Sequence, residues 1–369
     1  MAGLPVGIGA FLMGIFSSVF LQTTKSDSVI TVFSTLGISS LFLYAGLELN
    51  LTELKKNYRP LLIHLLIKAI LLSAVALVIQ EIFSFSLQVS ALVSLGLLTP
   101  STGFILDTLP STKLSAEQKL WVKNKAIASE ILALLLLLVI QSSTPAKLAL
   151  SMGVLVILII ILPILFHFIA KRISFTSSGA DFSLLLLLAV VTGTITKKLG
   201  AYYLVGAFIV GFTVSYYEEY IAKSKNHKFE DAAKFFAAFF MPFYFFKAGL
   251  GIDINVLTIQ SALLGVLLCL SMLPIRIGVP AIQMMLSSNE RSHNSLPITI
   301  SLLPTLVFGL ILTDLIRQTN SVGNNLLGGL IFYTLIMTLL PSFLLRYVLK
   351  RTDLIELTKV NEILSEKNL

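Results

Sequence analysis

Residues 119–141 read KLWVKNKAIASEILALLLLLVIQ, an apolar run that is basic at its start and holds a single carboxylate, Glu130, in its interior. Glu130 stands about eleven residues from the basic end. A helical rise of 1.5 Å per residue puts it roughly 16 Å deep, near the middle of a ~30 Å hydrocarbon layer. An ionisable side chain there costs at least a few kcal/mol, so it is expected to face a cavity or partner and to mark a functional site. The competing reading is a buried structural ion pair.

The composition agrees with a bilayer environment. Of 369 residues, 56% are apolar and 12% charged, and the mean hydropathy is +0.91. Soluble domains carry about 25% charged residues, so the expected class is an all-α polytopic membrane protein. The net charge of +8 is no nucleic-acid signal, because the basic residues sit in short loops between apolar runs. Cys269, the one cysteine, lies in an apolar run, which excludes a disulfide framework. The N-terminus has no basic n-region or small-residue cleavage site, so its apolar run reads as a first span and not as a signal peptide. No nucleotide loop, zinc spacing or nucleophile triad stands out, so neither an enzyme nor a resident cofactor is expected.

Hydropathy places twelve spans near 3–21, 28–48, 59–80, 86–107, 119–141, 147–170, 181–196, 199–217, 233–250, 256–286, 295–316 and 323–348. They form one membrane domain over 1–348, followed by a short tail over 349–369. Loops after even-numbered spans and the termini hold most Lys and Arg, including Lys55, Lys56, Arg59, Lys113, Lys119, Lys123, Lys125, Lys223 and Lys350. Loops after odd-numbered spans hold only Lys25, Lys147, Lys197, Lys198 and Arg317. The positive-inside rule therefore puts both termini, and the tail, in the cytoplasm. Lys68, Lys247 and Arg276 fall inside spans and require a reason.

Three motif pairs suggest an internal repeat. Ile8–Gly14 (IGAFLMG) matches Val205–Gly211 (VGAFIVG), and Phe42–Asn50 (FLYAGLELN) matches Phe245–Asp253 (FFKAGLGID). Leu98-Thr99-Pro100 matches Leu303-Pro304-Thr305. The offset is about 200 residues each time, and each match pairs spans seven apart, so the second copy crosses the bilayer in the opposite sense. Repeat one covers about 1–141, a connector about 142–198 and repeat two about 199–348. In such inverted repeats the substrate site lies at the repeat interface near the midplane. Span 7 has no partner ahead of span 1, so either spans 6 and 7 are both connectors or the full gene has one more N-terminal helix.

Spans 4 and 11 carry proline beside hydroxyls in mid-span: Thr99-Pro100-Ser101-Thr102-Gly103 and Pro304-Thr305. Proline removes a backbone donor and frees a carbonyl one turn back, so both helices are expected to break, exposing groups that can hold an ion or a buried charge. Ordinary kinks are the alternative. Ser129 offers a hydroxyl beside Glu130, and a hard cation such as Na⁺ accepts carboxylate, hydroxyl and carbonyl oxygens. A carboxylate that binds either a proton or a metal ion, and not both, is sufficient for exchange. Arg276 and Lys68 lie near the depth of Glu130. Arg276 is a fixed positive charge and a candidate resting partner for Glu130, while Lys68 is able to release a proton. His64, one turn before Lys68, reads as a polar residue near an interface, and Lys247 as a residue that snorkels. Ala10–Gly14 and Ala207–Gly211 have small-xxx-small spacing and read as packing devices. The aliphatic stretch Val154–Leu165 is expected to face lipid or another protomer.

GLPVGIGAFLMGI at 3–15, LFLYAGLELNLTEL at 41–54, the break at 99–103, GAFIVGF at 206–212 and MPFYFFKAGLGIDI at 241–254 together resemble the monovalent cation/proton antiporter family. The likeness is to its second branch of bacterial sodium/proton and potassium-efflux antiporters. The resemblance implies a homodimer in the bacterial inner membrane, with a dimerisation domain and a moving six-helix core. It puts the family's fifth-span acidic pair on Ser129-Glu130, its tenth-span basic residue on Arg276 and its unwound fourth span on Thr99–Thr102. A Ser-Glu pair departs from the usual Asp-Asp, Asn-Asp or Gln-Asp, and a single carboxylate resembles the electroneutral members. The expected activity is Na⁺/H⁺ exchange at Glu130. Ser129, Thr99, Ser101 and Thr102 would lend oxygens to the transported Na⁺, and Arg276 and Lys68 would compensate charge. K⁺ or Li⁺ as the cation, a sodium-coupled organic-anion symporter and a non-transporting receptor are the alternatives.

Overall fold

The structure is a computed structural model describing residues 5–21, 27–142, 144–172, 178–198, 203–217, 228–287 and 295–366. The secondary structure of these residues is helical throughout. The first part comprises α1 (Val6–Phe20), α2 (Ser28–Leu47), a short α3 (Leu51–Lys56), α4 (Tyr58–Phe83), α5 (Leu87–Leu98), α6 (Thr102–Thr108) and α7 (Ala116–Gln141). There follow α8 (Pro145–Arg172) and α9 (Ser178–Lys198). The remainder comprises α10 (Tyr203–Tyr216), α11 (Lys228–Leu250), α12 (Ile259–Ser287), α13 (Ser295–Ser301), α14 (Leu306–Gln318) and α15 (Asn324–Glu366).

Helix starts follow local chemistry. Asp27 opens α2 by accepting from the N–H groups of Val29 and Ile30 at 2.8 and 3.0 Å. Ser115 and Gln118 form a capping box at the start of α7, each side chain bonded to the other's backbone N–H at 3.2 and 3.0 Å. The helix over 323–348 expected from hydropathy continues as α15 to Glu366, so most of the expected tail is helical backbone. The six-residue α3, capped by Asn50, was not expected.

Seven helical segments of the described residues are long and apolar enough to cross a membrane: 28–47, 58–83, 87–111, 116–141, 145–168, 259–285 and 324–348. The bent pair α13–α14 makes an eighth, while Val6–Phe20 and Leu204–Tyr216 are shorter apolar helices. The protein is therefore a multi-pass helical membrane protein. The expected segments over 181–196 and 233–250 lie within α9 and α11, which length and apolarity alone do not select.

The helices sort into two packed groups. One contains α1, α2, α8, α9, α10 and α11; the other contains α4 to α7 and α12 to α15. The first group is joined by glycines. A Cβ on Gly14 would fall on the Phe246 carbonyl oxygen and within 3.0 Å of the Gly249 Cα, and one on Gly249 would meet Phe11 and Gly14 in return. Gly46 and Gly211 face each other in the same way across α2 and α10. These are close helix crossings that only a missing side chain permits. On α8, Val156, Ile157, Ile160 and Ile164 are exposed, as expected for an aliphatic stretch facing lipid or another protomer.

Both expected breaks are present in the second group. Pro100 pushes Thr99 into extended backbone (φ −81°, ψ 126°), ending α5, and Ser101 remains extended before α6 begins. Around Pro304 the chain leaves helix between α13 and α14, which are bent by 44°. The breaks touch: the Ser101 N–H donates to the Pro304 carbonyl at 2.8 Å, and the Ser101 hydroxyl accepts from the Val307 N–H at 3.2 Å.

Candidate functional site

Broken helices leave carbonyls at their C-terminal ends, where the backbone dipole is negative. Arg276, on α12 and 5% exposed, meets this need directly. Its Nη1 donates to the Leu97 carbonyl at the end of α5 (3.1 Å), and its Nη2 to the Leu302 carbonyl just beyond α13 (2.9 Å). Nη1 also donates to the Tyr333 hydroxyl at 3.2 Å, and that hydroxyl donates in turn to the Leu97 carbonyl. Lys68, half-buried on α4, donates to the Leu98 carbonyl at 2.5 Å. The two cations thus sit on the ends of the interrupted helices. The expected pairing of Arg276 with Glu130 is not formed, because a guanidinium offers a fork of donors and the freed carbonyls take it.

Glu130 is 1% exposed and forms no ion pair among the described residues. Its carboxyl lies against Thr102, the first residue of α6, while Oε2 has no hydrogen-bond partner. The hydroxyls of Thr99, Thr102 and Thr305 are likewise buried without partners. Buried polar atoms normally find partners, and orphans concentrated at one feature point to a ligand or water. Of the five orphan hydroxyls among the described residues, these three belong to a broken segment or its edge, while Ser90 and Thr213 lie inside α5 and α10. Ser101 differs, since its hydroxyl is engaged by Val307 and staples the crossing. Thr305 contributes its backbone N–H to the Thr338 hydroxyl at 3.3 Å.

Ser129 faces a second group of residues. It lines a cavity of about 30 Å³ with His64, Lys68, Pro100, Arg276 and Gln283, enough room for a water molecule. His64 bonds to Ser129 and to Gln283, each at 3.0 Å. Sequence reasoning read His64 as a polar residue near an interface, yet it is 4% exposed and central. Gln283 and Tyr333 were missed, as were the buried Lys125 and Asn124. Lys125 was counted among loop charges, but it lies inside α7, 2% exposed, and its Nζ has no hydrogen-bond partner. Its position one helical turn before Ser129 was the available signal.

The surroundings differ on the two sides of the site. A cleft of about 340 Å³ opens between the helix groups, lined among others by Ser34, Tyr244, Lys247, Asp253, Asp314 and Arg317. Lys247 does not extend away from the protein but donates to the Thr31 hydroxyl at 2.9 Å. At the other end of α2, Glu48 pairs with Lys123 of α7 and accepts from the Tyr44 hydroxyl at 2.6 Å. That cluster links the two helix groups where the cleft is absent.

Interrupted helices that meet beside a buried, unneutralised carboxylate characterise membrane carriers that move small ions. Comparison with known proteins narrows the class. The chain belongs to the sodium/hydrogen exchanger family: the family model described as "Sodium/hydrogen exchanger, transmembrane" matches residues 1–351. It is 22% identical over 367 residues to a Na⁺/H⁺ antiporter of Enterococcus hirae, an alignment that covers 95% of this chain and 93% of that protein. Its fold is similar to that of the sodium proton antiporter MjNhaP1 from Methanocaldococcus jannaschii, solved at pH 8. The TM-score is 0.65 at 15% identity, covering 94% of this chain and 92% of that one. The resemblance drawn from the motifs is thereby confirmed at the level of family and fold.

Proposed function

We propose that the protein exchanges Na⁺ for H⁺ by alternate occupation of Glu130. The observation that carries this reading is the pairing state of that residue: a fully buried carboxyl with one oxygen unpartnered and no ion-pair partner among the described residues. A permanent ionic partner would make Glu130 structural. Without one, its charge is balanced by whichever transported ion is bound. Thr99 and Thr102 supply hydroxyl oxygens of the kind a hard alkali cation accepts, with Ser129 as a third, and Thr305 is a further orphan oxygen at the second break. Arg276 and Lys68 stabilise the broken helices and leave the negative charge of Glu130 free for exchange. The proton and the cation then compete for one group.

The same reading extends to the assembly. The crossed contacts of Gly14 with Gly249 and Gly46 with Gly211 support an inverted repeat, since the first motif of each copy meets the second motif of the other. The exposed aliphatic face of α8 fits lipid or the second protomer of a homodimer. The distribution of Lys and Arg supports cytoplasmic termini in a bacterial inner membrane.

The test uses purified protein in liposomes with a pH dye inside and an imposed proton gradient. Na⁺, K⁺ and Li⁺ are added in turn to wild type and Glu130→Gln. Collapse of the gradient by Na⁺ in wild type alone is the expected result. Exchange that survives in Glu130→Gln would sink the mechanism, and a response to K⁺ in place of Na⁺ would reassign the cation.

A further inference from the structure

A three-residue chain beside the crossing has no part in the exchange step as described. Gln283, close to the end of α12, donates from Nε2 to the Pro60 carbonyl at 3.3 Å. A carbonyl only accepts, so this bond sets the orientation of the amide and turns Oε1 toward His64 Nδ1, 3.0 Å away. Oε1 also only accepts, so Nδ1 carries the ring proton. In the neutral ring Nε2 then has a lone pair and no hydrogen. The Ser129 hydroxyl lies 3.0 Å from Nε2 and must donate to it. All three residues are buried, at 4% exposure for Gln283 and His64 and 3% for Ser129.

The consequence falls on the serine oxygen. A hydroxyl has one proton and two lone pairs. With its proton committed to His64, Ser129 offers only lone pairs to the remainder of its surroundings. Glu130, the next residue, has a buried oxygen without a partner. A serine hydroxyl free to rotate is able to present its proton to a bound cation, where that proton opposes binding.

We propose that His64 and Gln283 are positioning residues that hold the Ser129 hydroxyl as an acceptor-only oxygen for the transported cation. This rests on the exchange of Na⁺ and H⁺ at Glu130. Neither residue touches the cation; both act through Ser129. The relay spans α4, α7 and α12, with partners 65 and 219 residues apart in sequence.

The test separates Na⁺ affinity from turnover in proteoliposomes. His64→Leu keeps an apolar side chain in place of the ring, and Gln283→Leu breaks the relay from its far end without altering His64 or Ser129. Each is expected to raise the KM for Na⁺ roughly three- to tenfold, the worth of one hydrogen bond, with kcat near wild type. His64→Gln should restore the KM, since an amide donates to Gln283 and accepts from Ser129. His64→Leu combined with Ser129→Ala should be no worse than Ser129→Ala alone, because the relay acts only through that hydroxyl. An unchanged KM in Gln283→Leu, or an additive loss in the double variant, overturns the proposal. Gln283→Leu serves as the primary variant if His64→Leu fails to assemble. Glu130→Gln run in parallel distinguishes the two layers: exchange surviving there refutes the exchange reading itself, whereas a dead Glu130→Gln with unaltered relay variants refutes only the relay.

Discussion

The backbone N–H of Ser101 donates to the carbonyl of Pro304 at 2.8 Å, joining two chain breaks that lie about 200 residues apart in sequence. The Ser101 side chain adds a second link by accepting from Val307. Replacing it with alanine leaves the Val307 N–H buried and unpaired, at a cost of about 1–3 kcal/mol. Ser101→Ala is therefore expected to melt at a lower temperature in detergent while Ser101→Thr stays near wild type. Equal melting of the two variants would show that the second link contributes nothing.

Arg276 bridges the Leu97 and Leu302 carbonyls, and a lysine ammonium is a point charge without a fork. Arg276→Lys keeps the charge but is expected to lose at least one of these contacts, worth about 1.5–3 kcal/mol. Transport should fall together with thermal stability. A variant with wild-type stability and no transport would instead place Arg276 in the ion-exchange step.

Glu48 and Lys123 connect the two helix groups on the side away from the cleft. The pair is mostly buried, with side-chain exposures of 10% for Glu48 and 23% for Lys123, so Glu48→Gln leaves the ammonium without its counter-charge and should lower the melting temperature. It should also alter access. In a Cys269→Ala background, a cysteine placed at Ala128 is expected to react faster with a membrane-impermeant thiol reagent once Glu48→Gln is added. An unchanged rate would show that the pair has no part in access to the site.

One carboxylate that takes either a proton or a monovalent cation exchanges them one for one. Exchange by the wild type should accordingly be indifferent to a membrane potential set with K⁺ and valinomycin. A rate that follows the imposed potential would require a second titrating group, and the unpartnered Lys125 ammonium would be the first residue to replace.

What could be read in advance was what is written in side chains along one segment. Glu130 was visible because a charge in KLWVKNKAIASEILALLLLLVIQ has no local excuse, and the breaks because Pro100 and Pro304 remove donors wherever they occur. The partners of Arg276 were not visible. They are backbone carbonyls of Leu97 and Leu302, which any residue would provide. Gln283 was hidden for a related reason: its meaning comes from His64, 219 residues away, and neither residue is unusual in its own segment. Lys125 was misplaced because a basic residue near a span's end follows the loop rule until burial is known.

The seams in which Gly14 meets Gly249 and Gly46 meets Gly211 also bear on how such a chain is able to change over time. When two large side chains touch, enlarging one can be answered by trimming the other. Glycine against glycine has nothing to trim. A methyl group gained at Gly14 falls on the carbonyl oxygen of Phe246, and no single change in α11 removes a carbonyl. Second-site suppressors of such a substitution should therefore be sought in whole-helix displacements and not at the facing residue. The four glycines form an evolutionary ratchet, entered once and closed to piecemeal exit.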